Sequence, residues 1–218
     1  MSNRKLLLVG LDGVSWDVIK PWMDQGYLPT FKKLTSNGTW GVLKSTIPCL
    51  SVPAIPSFFT GKNPAKLGFF GFIKPDGSLV SFNDIVEPTI WDLLGQYGYK
   101  SMIVNLRATY PPKSVFGVLI SGLPPSEEST YTYPPHIKEK VKGFHLESKE
   151  LQTLWKKKLF NEKLLFMYIE RMWRRYRLIK SLAQEDNYDF ILYWIEETDS
   201  IQHWFWHQKD KILLFSKK

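Results

Sequence analysis

Residues 189–195, DFILYWI, constrain the fold of this chain more than any other stretch. After Asp189 the run is apolar throughout and shows no alternation, the mark of a strand buried on both faces. Such a strand needs a covering layer on each side. Other segments fall into place around it. KLLLVG (5–10) reads as a short buried strand, WGVLKST (40–46) as a candidate strand, and VFGVLISG (115–122) as a strand between proline-rich loops that run from Pro111 to Pro135. Helical patterns cover about Ser15 to Asp24 and LPTFKKLTSNG, the second closed by Gly38. IWDLLGQYGYKSMIVNL reads as a helix, a glycine turn and a further apolar strand. Over 149–183 a long helical region has Leu165, Ile169, Met172, Trp173, Tyr176 and Ile179 at helical spacing, with Arg171, Arg174, Arg175 and Arg177 between them. Alternating strands and helices of this kind predict a layered α/β fold with a mostly parallel sheet.

At 218 residues the chain is long enough to bury a core, as one large domain or two small ones. No apolar run approaches the ~20 residues that cross a bilayer. The run LLLVG near the start is too short for a signal peptide, so the cytoplasm is the expected location. The single Cys49 fits that compartment and excludes an internal disulfide. The net charge of +8 is local: residues 137–180 hold 13 Lys/Arg against 5 Asp/Glu, and the rest of the chain is neutral with 16 of each. A basic segment on a neutral body suits an anionic partner, whether phosphate ester, nucleic acid or membrane surface. It suits a solvated helical face equally well. No nucleic-acid motif accompanies it, and Trp155 and Trp173 at helical spacing read as core.

Three stretches could carry chemistry. Asp12 follows the first strand, at the carboxyl end where open α/β sheets gather ligands; an Asp-Gly turn is the plainer reading. In PCLSVPAIPSFFTGKNP, Ser51 precedes Val52 and Pro53 and marks a helix start. A helix N-terminus favours an alkoxide and an anionic phosphoryl group, so the position suits a nucleophile as well as a cap. A serine hydroxyl needs activation, and with no histidine before His136 a metal is the expected activator. In ETDSIQHWFW, Asp199 and His203 are spaced i, i+4 and fall on one helical face, where they can grip one metal ion. A simple carboxylate–imidazole pair is the alternative.

Together these stretches resemble the alkaline phosphatase superfamily, and within it the type I phosphodiesterase/nucleotide pyrophosphatase family. The resemblance runs through GLDGVSWDVIKPWMDQGYLPTFKKLTSNGTWGVL, LSVPAIPSFFTGKNPAKLGFFGF, VNLRATYPPKSVFGVLISG and ETDSIQHWFW, in the family's order. It implies an alkaline-phosphatase-like three-layer sandwich and a metal-dependent phosphoester hydrolase. Asp12 and Ser51 would then ligate one of two divalent ions, zinc by family habit with manganese as the alternative. Ser51 would be the attacking group, and Asp199 and His203 would ligate the second ion. Thr60 and Gly61 match a family Thr-Gly element read here as packing. A phosphate-ester small molecule is the expected substrate.

The sequence departs from the family in three places. Leu67 stands where histidine is common, and Phe72 stands near the position of an asparagine that holds a phosphate oxygen in nucleotide pyrophosphatases. Beyond His203 the only further donors are His207 and Asp210, so the later Asp-His pair and the last histidine of the family have no counterpart. The second metal site is therefore expected to be incomplete, and the chain is expected to be the N-terminal part of a longer enzyme, truncated at the C-terminus. The anticipated parts are 1–136 as the start of the catalytic core, 137–184 as a basic helical cap, and 185–218 as a core strand with the metal-ligand helix. A separate chain carrying the missing part is an expected partner. The alternative function is a catalytically inactive α/β protein that binds anions or a partner.

Overall fold

The computed structural model describes residues 5–123, 126–145, 153–154, 156–157 and 161–206. The chain divides into two compact units, Met1–Gly10 with Ser45–Ile195 and Leu11–Lys44 with Glu196–Lys218. The first unit carries the sheet. Its strands are β1 (Leu6–Leu11), β2 (Ser101–Leu106), β3 (Gly117–Ser121), β4 (Thr132–Tyr133) and β5 (Phe190–Ile195), in the order β1-β5-β2-β3-β4. β2 runs parallel to both β3 and β5, and the two-residue β4 lies antiparallel to β3. The DFILYWI run becomes β5, next to β2, and all six residues of β2 are buried.

Successive residues of these strands feed opposite faces, because side chains alternate along a strand, except where an irregularity between Val104 and Leu106 returns Leu106 to the face of Ile103. Ile103, Leu106, Leu119, Phe190 and Leu192 form one core with Val52, Ile55 and Phe59 of the helix Ser51–Thr60 and Trp91 of the helix Ile90–Gln96. Met102, Val104, Val118 and Ile120 form the other with Ile137 of the helix Ile137–Lys140 and Ile179 and Leu182 of the helix Glu162–Glu185. Helices thus cover both faces, and the fold is the three-layer α/β architecture. The described part of the basic segment packs on the sheet through Ile179 and Leu182, whereas Trp173 and Tyr176 of the expected stripe are 52% and 41% exposed, so Trp173 is not core, and Trp155 lies outside the described residues. It also buries Arg171 and Arg175, whose guanidinium groups lie over the rings of Tyr168 and Phe144.

Two strand expectations are corrected. β1 was expected to be buried but stands at the sheet edge, with Leu7 65% exposed. Apolar content does not record how many neighbours a strand has. Gly10 of β1 lets the strand lie flat against β5, since a Cβ there would meet Trp194 Cε3 at 2.0 Å. Residues 40–46 form no strand. A strand needs a ladder partner, and the tie at this segment is a side-chain bond, from Trp16 Nε1 to Gly41 O at 2.8 Å. Val42 and Leu43 are left 82% and 90% exposed. Residues 40–44 belong to the second unit, with the helices Trp16–Asp24, Pro29–Asn37 and Glu197–Phe205. Among the described residues no helix is long and apolar enough to cross a membrane.

Candidate active site

β1 ends at Leu11, and the next residue, Asp12, is buried at 7% exposure. Gly13 follows with φ +72°, in the left-handed region that favours glycine, and turns the chain toward the helix Trp16–Asp24. β5 ends at Ile195 and leads into the helix Glu197–Phe205. That helix carries Asp199 in its first turn, where a carboxylate complements the helix dipole, and His203 one turn later. Asp199 Oδ1 lies 3.3 Å from His203 Nε2, so the two side chains share one helical face and form the direct carboxylate–imidazole pair given above as the alternative to metal ligation. The carboxylate side chain is 23% exposed and the imidazole 70%, so the pair opens toward solvent.

The helix meets the loop after β1 at backbone level. Thr198 Oγ1 donates to Asp12 O at 2.7 Å, and Gln202 Nε2 donates to Gly13 O at 2.9 Å. A Cβ on Gly13 would lie 3.1 Å from both Cα and Oδ1 of Asp199. Asp12, Asp199 and His203 are therefore brought into one unit, with their backbones joined at this seam. Sequence reasoning missed Thr198, Gln202 and the role of Gly13. The available signal was the repeat of the i, i+4 spacing one residue ahead of the Asp199–His203 pair.

Ser51 belongs to the first unit. Leu50 occupies the capping position, with extended backbone, and Ser51 is the first helical residue rather than the cap. The helix is seated by the burial of Val52, Pro53, Ile55, Pro56 and Phe59. At its far end Thr60 Oγ1 donates to Pro56 O at 2.6 Å, and Gly61, at φ +68°, passes its N–H to Ser57 O at 2.9 Å. Thr60 thus bonds back into its own helix and Gly61 ends it, hydrogen-bonding roles in place of the packing role anticipated for Thr60-Gly61. Leu67 closes the short helix Pro64–Leu67 and packs against the first core, while Phe72 is partly exposed.

A carboxylate oxygen and an imidazole nitrogen on successive helical turns are donors that a divalent ion such as zinc accepts. The pair fits as two ligands of a site. Among the described residues no group of three His, Cys, Asp or Glu side chains is placed to hold a metal ion. His207 and Asp210 lie outside the described residues.

Residues 6–214 match the family described as type I phosphodiesterase / nucleotide pyrophosphatase. The chain belongs to that family, within the alkaline phosphatase superfamily, and so to a class of generally metal-dependent phosphoester hydrolases. No curated protein and no solved structure matches it.

Proposed function

We propose that the chain hydrolyses a small phosphate ester with Ser51 as nucleophile. Ser51 Oγ attacks phosphorus, an O–P bond forms, and the bond to the leaving alkoxide breaks, the serine hydroxyl proton passing through solvent to that alkoxide, which leaves as the alcohol. Water then cleaves the phosphoseryl ester and releases phosphate or a phosphomonoester. The helix that opens at Ser51 favours the negative charge on the phosphoryl oxygens through its dipole and first-turn N–H groups. Asp12 and Ser51 would hold one divalent ion and Asp199 and His203 a second, zinc or manganese. Bound there, the ions supply Lewis-acid charge at the attacking and leaving oxygens. Tight zinc sites use three or four protein ligands, so His207 or a separate chain is the candidate source of the remaining donors.

The observation that carries this reading is the Asp199–His203 contact on a helix seamed to the loop of Asp12, in a chain of this family. Hydrolysis of bis(p-nitrophenyl) phosphate with added zinc or manganese tests it. Turnover should appear with metal and fall to background in Ser51→Ala. Full turnover in Ser51→Ala removes the serine mechanism. Absence of turnover with either metal, together with salt-sensitive binding to phosphate-rich partners, favours the anion-binding alternative instead.

A further inference from the structure

The helix Glu197–Phe205 presents two i, i+4 pairs on neighbouring edges. Asp199 and His203 form one. Thr198 and Gln202, each one residue earlier, form the other. Since each helical residue turns about 100°, the two edges lie side by side. The second edge faces the backbone after β1: Thr198 Oγ1 reaches Asp12 O and Gln202 Nε2 reaches Gly13 O. Gln202 Nε2 also donates to Thr198 O at 3.2 Å, which ties the two rungs together. Gly13 completes the seam, because its missing Cβ is what allows the backbone to approach Asp199.

Phe205, 1% exposed, anchors the far end of this helix, while no apolar residue of its first turn is buried. Only Glu197 and Phe205 of its nine residues are buried. By contrast, the donors at Thr198 and Gln202 are directed at two consecutive carbonyls, which fixes both the rotation of the helix and its height along the loop. A metal ligand oriented by such outer contacts binds in one geometry, and loss of the contact weakens the ion's hold without removing a ligand.

We propose that Thr198 and Gln202 are positioning residues, a two-rung latch that sets the Asp199–His203 donor pair against the loop carrying Asp12. The proposal rests on the reading of Asp199 and His203 as metal ligands. It adds that the approach of the Asp199–His203 pair to the loop of Asp12 is set by the side-chain bonds of Thr198 and Gln202 to backbone, alongside the apolar anchor at Phe205.

The test uses the whole chain, titrated with Co²⁺ alone and followed by visible absorbance and by calorimetry, with thermal unfolding run on the metal-free protein. Thr198→Val keeps the shape and removes the donor; Gln202→Leu removes the second rung; Thr198→Ser restores the first. The expected result is a loss of Co²⁺ affinity of about 10- to 100-fold in Thr198→Val and in Gln202→Leu, near-complete recovery in Thr198→Ser, and thermal midpoints close to that of the parent. If Thr198→Val is too unstable to titrate, Gln202→Leu and Thr198→Ser decide. Parent-like affinity in Gln202→Leu and Thr198→Val, with affinity lost in Asp199→Ala, overturns the latch and leaves the metal reading intact. Parent-like affinity in both Asp199→Ala and His203→Ala overturns the metal reading, and the latch with it.

Discussion

The helix Ser51–Thr60 and the helix Glu197–Phe205 each present a candidate reactive group in the first turn, yet they are held in different ways. The first has five buried apolar residues and sits in a core shared with β2 and β5. The second buries only Glu197 and Phe205 and is fastened through Thr198 and Gln202 to backbone carbonyls. Apolar packing is non-directional and strong in sum, so it places Ser51 wherever the core closes. Hydrogen bonds contribute less but are directional. A nucleophile can tolerate the first kind of placement because its helix end supplies the field. The proposed metal-ligand role of Asp199 and His203 would need the second, because donor angles matter.

The largest expected effect breaks the first helix from its core. Phe59 is 1% exposed and packs against Trp91 and Phe82, with ring centroids 4.9 and 6.4 Å away. Phe59→Ala should cost about 3–5 kcal/mol in urea unfolding, the range for a buried Phe truncation. A cost below about 1 kcal/mol, the scale of a single hydrogen bond, would mean that packing does not hold this helix.

A smaller effect separates the two modes directly. Gly61 and Gly13 have nearly the same backbone, φ +68° and +72°. A Cβ on Gly61 meets nothing within 4 Å, whereas one on Gly13 meets Asp199 at 3.1 Å, backbone included. Gly61→Ala should therefore show the left-handed penalty alone, about 1–2 kcal/mol. Gly13→Ala should cost more than Gly61→Ala, and it alone should also weaken Co²⁺ binding. Equal costs and unchanged metal affinity would dissolve the seam as a structural element.

These contrasts follow what was legible in the sequence. β5 and β2 could be read because central parallel strands are apolar without alternation, and the pairing of Asp199 with His203 because i, i+4 spacing on a helix is geometric. The edge position of β1 could not be read, since Leu6, Leu7 and Val9 look the same whether one neighbour or two lie beside them. Trp40 to Thr46 had strand composition but no ladder, and pairing is a property of distant chain. The latch was hidden for a further reason. Its acceptors are the carbonyls of Asp12 and Gly13, and backbone acceptors leave no residue-type signature, so the i, i+4 spacing of Thr198 and Gln202 was the whole of its trace in the sequence. Ser51 was legible as a helix start from Val52-Pro53, but the shift of the cap to Leu50 turns on one residue's dihedral angles, which composition does not encode.

The smallest effect lies at the amino ends of β2 and β5, where charge does the fastening. Lys100 Nζ is hydrogen-bonded to Asp186, and Lys100 N and O bond to Asp189 Oδ2 and Asp189 N, at 2.8 and 2.9 Å. The hydrogen bond from Lys100, followed by the N–H of Asn187, holds the Asp186 carboxyl below its ordinary value of 3.8. A carboxyl lowered by folding binds its proton less tightly in the folded chain than in the unfolded one, so stability rises with pH through that range. The contribution is complete above the ordinary carboxylate value and is lost as pH falls through the lower folded value. Both side chains are partly exposed, 32% and 43%, so solvent screens the pair and ~0.2–1 kcal/mol is the expected scale. Lys100→Met removes the charge and leaves the backbone bonds to Asp189 in place. The difference in unfolding free energy between parent and Lys100→Met should be present at pH 6, shrink below pH 4, and fall with added salt. A difference that persists unchanged in acid would assign the effect to the packing of the lysine stem over Tyr188, 5.8 Å from Nζ to the ring centre. The strand ends would then be held by apolar contact, as the Ser51 helix is, and of the three regions compared only the helix Glu197–Phe205 would keep its polar fastening.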